Sequence, residues 1–350
     1  MKRQMLLISI SLLLSAACVF SSLRRSEPVE PDRGPTDALP AVESQPEKPA
    51  GTENAAAEPV VPGLPTPPAG ARIAFVATGW SVPGASHEIF VMRPDGSGIT
   101  SISNQRGDDD DPAWSPDGSQ IAFTAERDGN REIYIMNADG TDPQRLTDHP
   151  ASDSSPGWSP DGKRIVFIST RDNNQEIYSM RADGGDQTRL TDLPSQENYP
   201  TWSPDGKTIL FSSFGEGNAG IYAMDADGSN FRVLMGGPLH NPVWSPDGTW
   251  IALDGEPHGC NFEVFVMRAD GSEMRQVTHH PEGCGSYNKH PAWSPDGKQL
   301  IYSSSDRDPN LPGSLLMKIQ LDGSGETALT RIRVEKTYNS PHYPCWSPIP

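Results

Sequence analysis

The sequence predicts an all-β fold, a six-bladed β-propeller of four-stranded antiparallel blades. Three observations carry this. The stretch W-S-P-D-G recurs at Trp114, Trp158, Trp202, Trp244 and Trp293, and breaks off at Trp346 as W-S-P-I-P. The tryptophans are 42 to 53 residues apart, mostly near 44, the period of a four-stranded propeller blade. The two ends of the repeat region are complementary fragments of one further unit.

Within the unit that begins at Trp114, four short segments carry strand-forming residues: Ala113-Trp114-Ser115, residues 121–124, residues 132–136 and residues 144–147. Pro-Asp-Gly after the first segment presets a tight turn, because Pro fixes one dihedral and Gly accepts a positive one. Ala-Asp-Gly-Thr repeats the device between the third and fourth. Residues 72–103 read as strands two, three and four with no tryptophan strand before them. Cys345-Trp346-Ser347 is a tryptophan strand with nothing after it. Joined, they complete the sixth blade and close the ring, which removes the open edge. The tryptophans are expected to pack between blades, and the Asp and Gly of the turns to be structural.

Residues 1–25 precede this architecture. Lys2 and Arg3 lead an apolar run over residues 5–14, followed by Ser15-Ala16-Ala17 and Cys18. This is the three-part form of a secretory signal. Cys18 is a candidate for lipidation, although Ser15 stands where a lipobox usually has Leu. An uncleaved anchor over residues 5–23, stopped by Arg24 and Arg25, and simple secretion are the alternatives. All three export the rest of the chain, to a periplasmic or other extracytoplasmic space. Residues 26–70 are crowded with Pro, Ala and Glu and read as a disordered spacer. The propeller is expected over residues 71–350.

The formal net charge of −18 argues against nucleic acid and against anionic membrane surfaces as ligands of the propeller. It permits basic proteins or cations. Membrane contact is expected through the N-terminus only, and the propeller is expected to be monomeric. Cys260, Cys284 and Cys345 follow Cys18, an even total that leaves an odd thiol if Cys18 is lipidated. Cys260 and Cys284 fall in loops on one face and are expected to pair, with Cys345 as competitor and free thiols as the alternative.

The turns between strands are near-uniform, whereas the loops on the opposite face vary. Binding is expected on that variable face. His240, His290 and His342 each lie three or four residues before a first-strand tryptophan, and Asp111 holds the equivalent place in the first full unit. They are candidates for a site at the channel mouth. Imidazoles with a carboxylate suit a divalent metal, and the alternative is ordinary loop histidines beside prolines. Asp108, Asp109, Asp110 and Asp111 form an acidic run, either a solvated loop or a binding loop for a cation or basic partner. No cofactor is expected otherwise. No G-x-S-x-G elbow, phosphate loop or Cys-x-x-Cys occurs.

The pattern P-x-W-S-P-D-G-K-x-I-x-F, followed by R-D-G-N-x-E-I-Y-x-M-x-A-D-G, resembles the repeat of TolB-type six-bladed propellers. The resemblance spans residues 73–350. It implies the fold, an envelope compartment and protein binding in general. TolB itself belongs to the Tol-Pal system and carries an α/β domain where this chain has residues 26–70, which weakens any transfer of that particular role. Oligogalacturonate lyases resemble this propeller too and hold a metal with channel histidines, but no residue here maps onto their motif. The reading is therefore recognition of a protein or other macromolecular partner without catalysis. The alternative is a metal-dependent polysaccharide lyase or hydrolase at the channel mouth.

Overall fold

The computed structural model describes residues 70–78, 87–103, 107–127, 129–215, 219–256, 259, 261–279, 287–305, 314–330 and 343–348, all within one compact unit. They form strands only. Blade 1 holds β1 (Ile73–Thr78), β2 (His87–Met92) and β3 (Thr100–Ser101). Blade 2 is β4 (Asp109–Trp114), β5 (Gln120–Glu126), β6 (Arg131–Asn137) and β7 (Gln144–Arg145). Blade 3 is β8 (Asp153–Trp158), β9 (Arg164–Ser169), β10 (Glu176–Arg181) and β11 (Thr188–Arg189). Blade 4 is β12 (Gln196–Trp202), β13 (Thr208–Phe214), β14 (Gly220–Asp225) and β15 (Arg232–Gly236). Blade 5 is β16 (Leu239–Trp244), β17 (Trp250–Gly255), β18 (Glu263–Arg268) and β19 (Arg275–Gln276). Blade 6 is β20 (Tyr287–Trp293), β21 (Gln299–Ser305), β22 (Ser314–Gln320) and β23 (Thr327–Ala328), and β24 (Cys345–Trp346) ends the chain.

Each blade is a four-stranded antiparallel sheet. The sheet of blade 1 runs β24-β1-β2-β3, with Ile73 opposite Trp346 and Ala74 opposite Cys345. The closure expected from the two ends is thus the one observed. The first strands touch in succession, β4 to β8, β12, β16, β20, β24 and back to β4. They surround the axis, and the fourth strands form the rim.

The energetics follow from the ring. Each blade buries both faces against its neighbours, so its second and third strands read as nearly continuous apolar runs rather than half-polar alternations. In β5, Ile121, Phe123 and Ala125 pack toward blade 1, and Ala122 packs toward blade 3. One apolar cluster fills each of the six seams between neighbouring blades. The tryptophans sit in these seams. Trp158 Nε1 donates to Ala113 O of the preceding blade at 3.2 Å, and Trp293 Nε1 to Val243 O at 3.1 Å.

The W-S-P-D-G turn explains its own repetition. Ser115 Oγ donates to Asp117 Oδ1 at 2.6 Å and accepts from Gln120 N at 2.9 Å. Ser159, Ser203, Ser245 and Ser294 make the same pair with Asp161, Asp205, Asp247 and Asp296. Gly118 takes φ 67°, a left-handed value open to glycine at little cost. The Glu of E-I-Y is structural as well. Buried Glu132 accepts from Thr147 Oγ1, Arg145 Nη2 and His149 N at 2.6 to 3.0 Å, which ties the third strand to the fourth and to the loop beyond it.

One expectation needs correction here. The first strand is longer than the Ala-Trp-Ser segment suggests and starts at Asp109. The acidic run therefore is not a loop: Asp109, Asp110 and Asp111 belong to β4, and Asp109 and Asp110 are buried. The misleading signal was proline. Pro112, Pro156, Pro200, Pro242, Pro291 and Pro344 stand two places before their tryptophans, and Pro is usually a strand breaker. On the innermost strand one edge faces the axis, so a missing N–H there removes no ladder bond.

Candidate functional site: an axial ring drawn from six blades

The residue before each of these prolines is the site. In five blades it sits in a β-bulge of the first strand, where the register with the second strand shifts. These residues are Asp111, Ser155, Tyr199, Asn241 and His290, with φ of 51°, 54°, 56°, 51° and 54°. Non-glycine residues reach this region at a cost of roughly 1–3 kcal/mol. The bulge re-aims one side chain per blade toward the axis. Tyr343 is the sixth member by position, one residue before Pro344.

Members from distant blades meet. The rings of Tyr199 in blade 4 and Tyr343 beside β24 are 6.3 Å apart, and His290 in blade 6 is 4.2 Å from Tyr343 and 6.4 Å from Tyr199. Blades 4 and 1 are opposite, so these side chains cross the axis. Burial pushes Tyr199 up to about 12 and Tyr343 well above its ordinary value. Both are neutral donors at physiological pH.

Two carboxylates face this centre from opposite blades. Asp111 Oδ2 accepts from Thr124 Oγ1 at 3.0 Å, Ser155 N at 3.2 Å and Ser155 Oγ at 3.3 Å. Asp254, on the second strand of blade 5, accepts at Oδ1 from Asn241 Nδ2 at 2.6 Å and His290 N at 2.9 Å. In both cases a carboxylate caps the bulged N–H of the next blade. Blade 2 carries the acid on its first strand and a hydroxyl on its second. Blade 5 carries the amide on its first strand and the acid on its second. Burial raises both acids to about 6, with Asp110 adding to the rise at Asp111. Asp254 was missed in the sequence, where its one signal was a charge inside the apolar run Ile251-Ala252-Leu253.

The rest of the acidic run is held by groups the sequence did not single out. Asp108 Oδ1 accepts from His87 N at 2.9 Å. Asp109 accepts from Arg127 Nη2 at 2.9 Å; burial raises it to about 6 against the pull of that guanidinium. Asp110 contacts His87 Nδ1 at 2.9 Å and Arg131 at 3.6 Å. The hydrogen bond to Asp110 raises the pKa of His87. The result is an acidic patch fixed on one side of the axis by its own cations.

The candidate histidines separate. His290 belongs to the ring. His240 lies one residue before its bulge and stacks on Phe214 at 4.7 Å and on Phe262 at 5.4 Å. Burial, with Lys289 nearby, lowers it to about 4, so it is neutral. Its blade presents Asn241 to the axis instead. Spacings of three and four residues looked equivalent in the sequence, but only three reaches the ring. No group of three or more His, Cys, Asp or Glu among the described residues is placed to hold a metal ion. His342, Cys18, Cys260 and Cys284 lie outside the described residues. Cys345 carries a free thiol, which burial pushes up to about 12.

Fold and site together define a class: a closed six-bladed propeller whose turn face repeats one motif and whose axis is filled by five residue types from six blades. The family model described as the TolB beta propeller domain matches residues 62–193 and 147–350. The chain belongs to this family. An uncharacterized protein of Agrobacterium fabrum, Atu1656, is 32% identical over 117 residues, 32% of this chain and 37% of its own. The chain spans well under half the length of the curated relatives it matches. Among solved structures, TolB from Acinetobacter baumannii superposes with a TM-score of 0.65 at 24% identity, covering 82% of this chain and 68% of that one. An oligogalacturonate lyase in complex with manganese superposes at 0.51 and 16% identity, covering 72% of each chain. At these identities the two structures show a shared fold.

Proposed function

We propose that this chain is an exported, membrane-tethered propeller that binds a protein partner of the cell envelope through its loop face, without turnover. The carrying observation is the contrast between the two ends of the same strands. On the turn face, Ser and Asp repeat the same 2.6–2.7 Å bond in five blades. Toward the loop face, the corresponding ring positions read Asp111, Ser155, Tyr199, Asn241, His290 and Tyr343. Variation on a rigid scaffold is how a recognition surface is made. Family membership supports a binding propeller, and the charged, apolar and small-residue succession of residues 1–25 supports export. No helix of the described residues is long and apolar enough to cross a membrane. The proposed tether is the segment of residues 1–25, on its sequence pattern.

The test is affinity capture of envelope proteins by the full chain, followed by titration of the captured partner with variants of each face. Asp108→Asn with Tyr287→Ala on the loop face is expected to weaken binding about tenfold or more, as loss of anchor contacts does. Asp205→Asn with Asp247→Asn on the turn face is expected to leave it unchanged, and so is metal chelation. Loss of binding through the turn-face pair alone would overturn the reading.

A further inference from the structure

Blades 2 and 3 each carry an acid–arginine clamp between the first strand and the loop after the second, and blade 4 lacks it. Five residues before the tryptophan stands an acid: Asp109 in blade 2, Asp153 in blade 3, Glu197 in blade 4. Thirteen residues after the tryptophan stand Arg127, Arg171 and Gly215. Arg127 Nη2 meets Asp109 at 2.9 Å and Arg171 Nη2 meets Asp153 at 2.8 Å, each also capping an aromatic pair of its own blade. In blade 4 the guanidinium is gone. An added Cβ on Gly215 would come within 3.0 Å of Ser195 Cβ, so Ser195 occupies the place where the arginine stem would start.

Glu197 is fully buried all the same. Its Oε1 accepts from Ser195 Oγ at 2.7 Å and Ser213 Oγ at 3.3 Å. Its Oε2 is buried with no donor. It is one methylene longer than Asp109 and Asp153, and its carboxyl comes within hydrogen-bonding reach of Glu176 on β10 of blade 3. Glu176 is itself buried and accepts from Arg189 Nη2 at 2.8 Å, Thr191 Oγ1 at 2.7 Å and Leu193 N at 3.2 Å. Arg189 on this side is shared with Asp172 and Asp192. From β13 and the segment before β12 come only Ser213, Gly215 and Ser195. No Lys or Arg among the described residues reaches Glu197.

Two carboxylates in contact inside a protein cannot both stay ionised, and an oxygen without a donor is satisfied if it carries the proton itself. We infer that Glu197 holds one proton against Glu176 across the seam between blades 3 and 4, donating it through Oε2, and that this proton stands in for the arginine that meets the equivalent acid within blades 2 and 3. The adhesion of this seam thereby depends on pH. Burial is the largest cause that raises Glu197, to about 8, and Glu176 adds to it.

The sign follows from linkage. An ordinary glutamate in the unfolded chain loses its proton near pH 4.3, whereas Glu197 in the folded chain keeps it to about 8. Folding therefore takes up a proton across that window, and stability falls as pH rises through it. Glu197→Gln supplies a permanent donor of the same shape. Relative to the variant, the folding equilibrium constant of the wild-type full chain is expected to fall about tenfold per pH unit between roughly pH 5 and 8, measured by urea unfolding. The infrared difference spectrum of wild type minus variant at pH 7 is expected to show one protonated carboxyl C=O band. Parallel stability curves, or no such band, would overturn the assignment.

Discussion

A chain ending at His342 is expected to lose cooperative folding. The deletion removes Tyr343 from the axial ring and the whole of β24. It strips the ladder from Ile73 and Ala74, both fully buried. It also removes Ser347, whose N–H donates to Arg72 O at 2.7 Å and whose Oγ accepts from Arg72 N at 3.0 Å. Trp346 leaves the seam between blades 6 and 1, and Cys345 leaves the seam between blades 1 and 2. Truncating a fully buried Trp costs about 3–5 kcal/mol; Trp346 is partly buried, and its loss adds to that of the ladder against the roughly 5–15 kcal/mol by which domains are stable. Loss of the native circular-dichroism unfolding transition, with aggregation through the bared edge of β1, is the expected outcome. A truncated chain that unfolds at the wild-type urea midpoint would show that the ring does not depend on its closure. Cys345 offers a milder readout. Its thiol is expected to react slowly with a thiol reagent in the intact ring and quickly in urea, followed by mass spectrometry of its own peptide.

Glu132→Ala is expected to destabilise the chain by about 3–5 kcal/mol, the usual cost of breaking a buried ion pair from one side. Glu132 is 1% exposed and accepts from Arg145, Thr147, His149 N and Asn130. Alanine leaves the Thr147 hydroxyl and the His149 N–H without their acceptor and frees the loop that leads into blade 3. Glu126→Ala is the control. That carboxylate is half exposed and only 3.7 Å from Arg131, a surface pair worth at most about 1 kcal/mol. Urea unfolding of the two variants separates the cases. Equal effects would mean that the E-I-Y glutamate is an ordinary surface charge, against its observed burial.

The two predictions rest on different kinds of information. Closure was legible in the sequence, because a missing first strand at one end and a lone first strand at the other are complementary fragments. The blade count, the seam tryptophans and the Ser-Pro-Asp-Gly turns were legible for the same reason: each is a local pattern repeated at a fixed period. The axial site was half legible. Asp111 and His290 were named from spacing. His240 was named with them, yet it turns away into an aromatic stack with Phe214 and Phe262. A bulge changes which residue faces the axis, and spacings of three and four residues do not reveal it.

By itself, then, the sequence determined a closed ring of six blades and the repeated chemistry of its turn face. Both follow from local propensity and period, which are properties of neighbours along the chain. Only the tertiary structure decided what meets across it. It drew Asp109, Asp110 and Asp111 out of an expected loop and onto a strand, with His87, Arg127 and Arg131 as partners of the acidic run. It set Asp254 opposite Asp111, and it placed Glu197 against Glu176 where the equivalent acids of blades 2 and 3 meet an arginine of their own blade. These pairings join residues from different blades or strands, and their protonation is governed by burial and by the nearest charge. Neither quantity exists until the ring has closed.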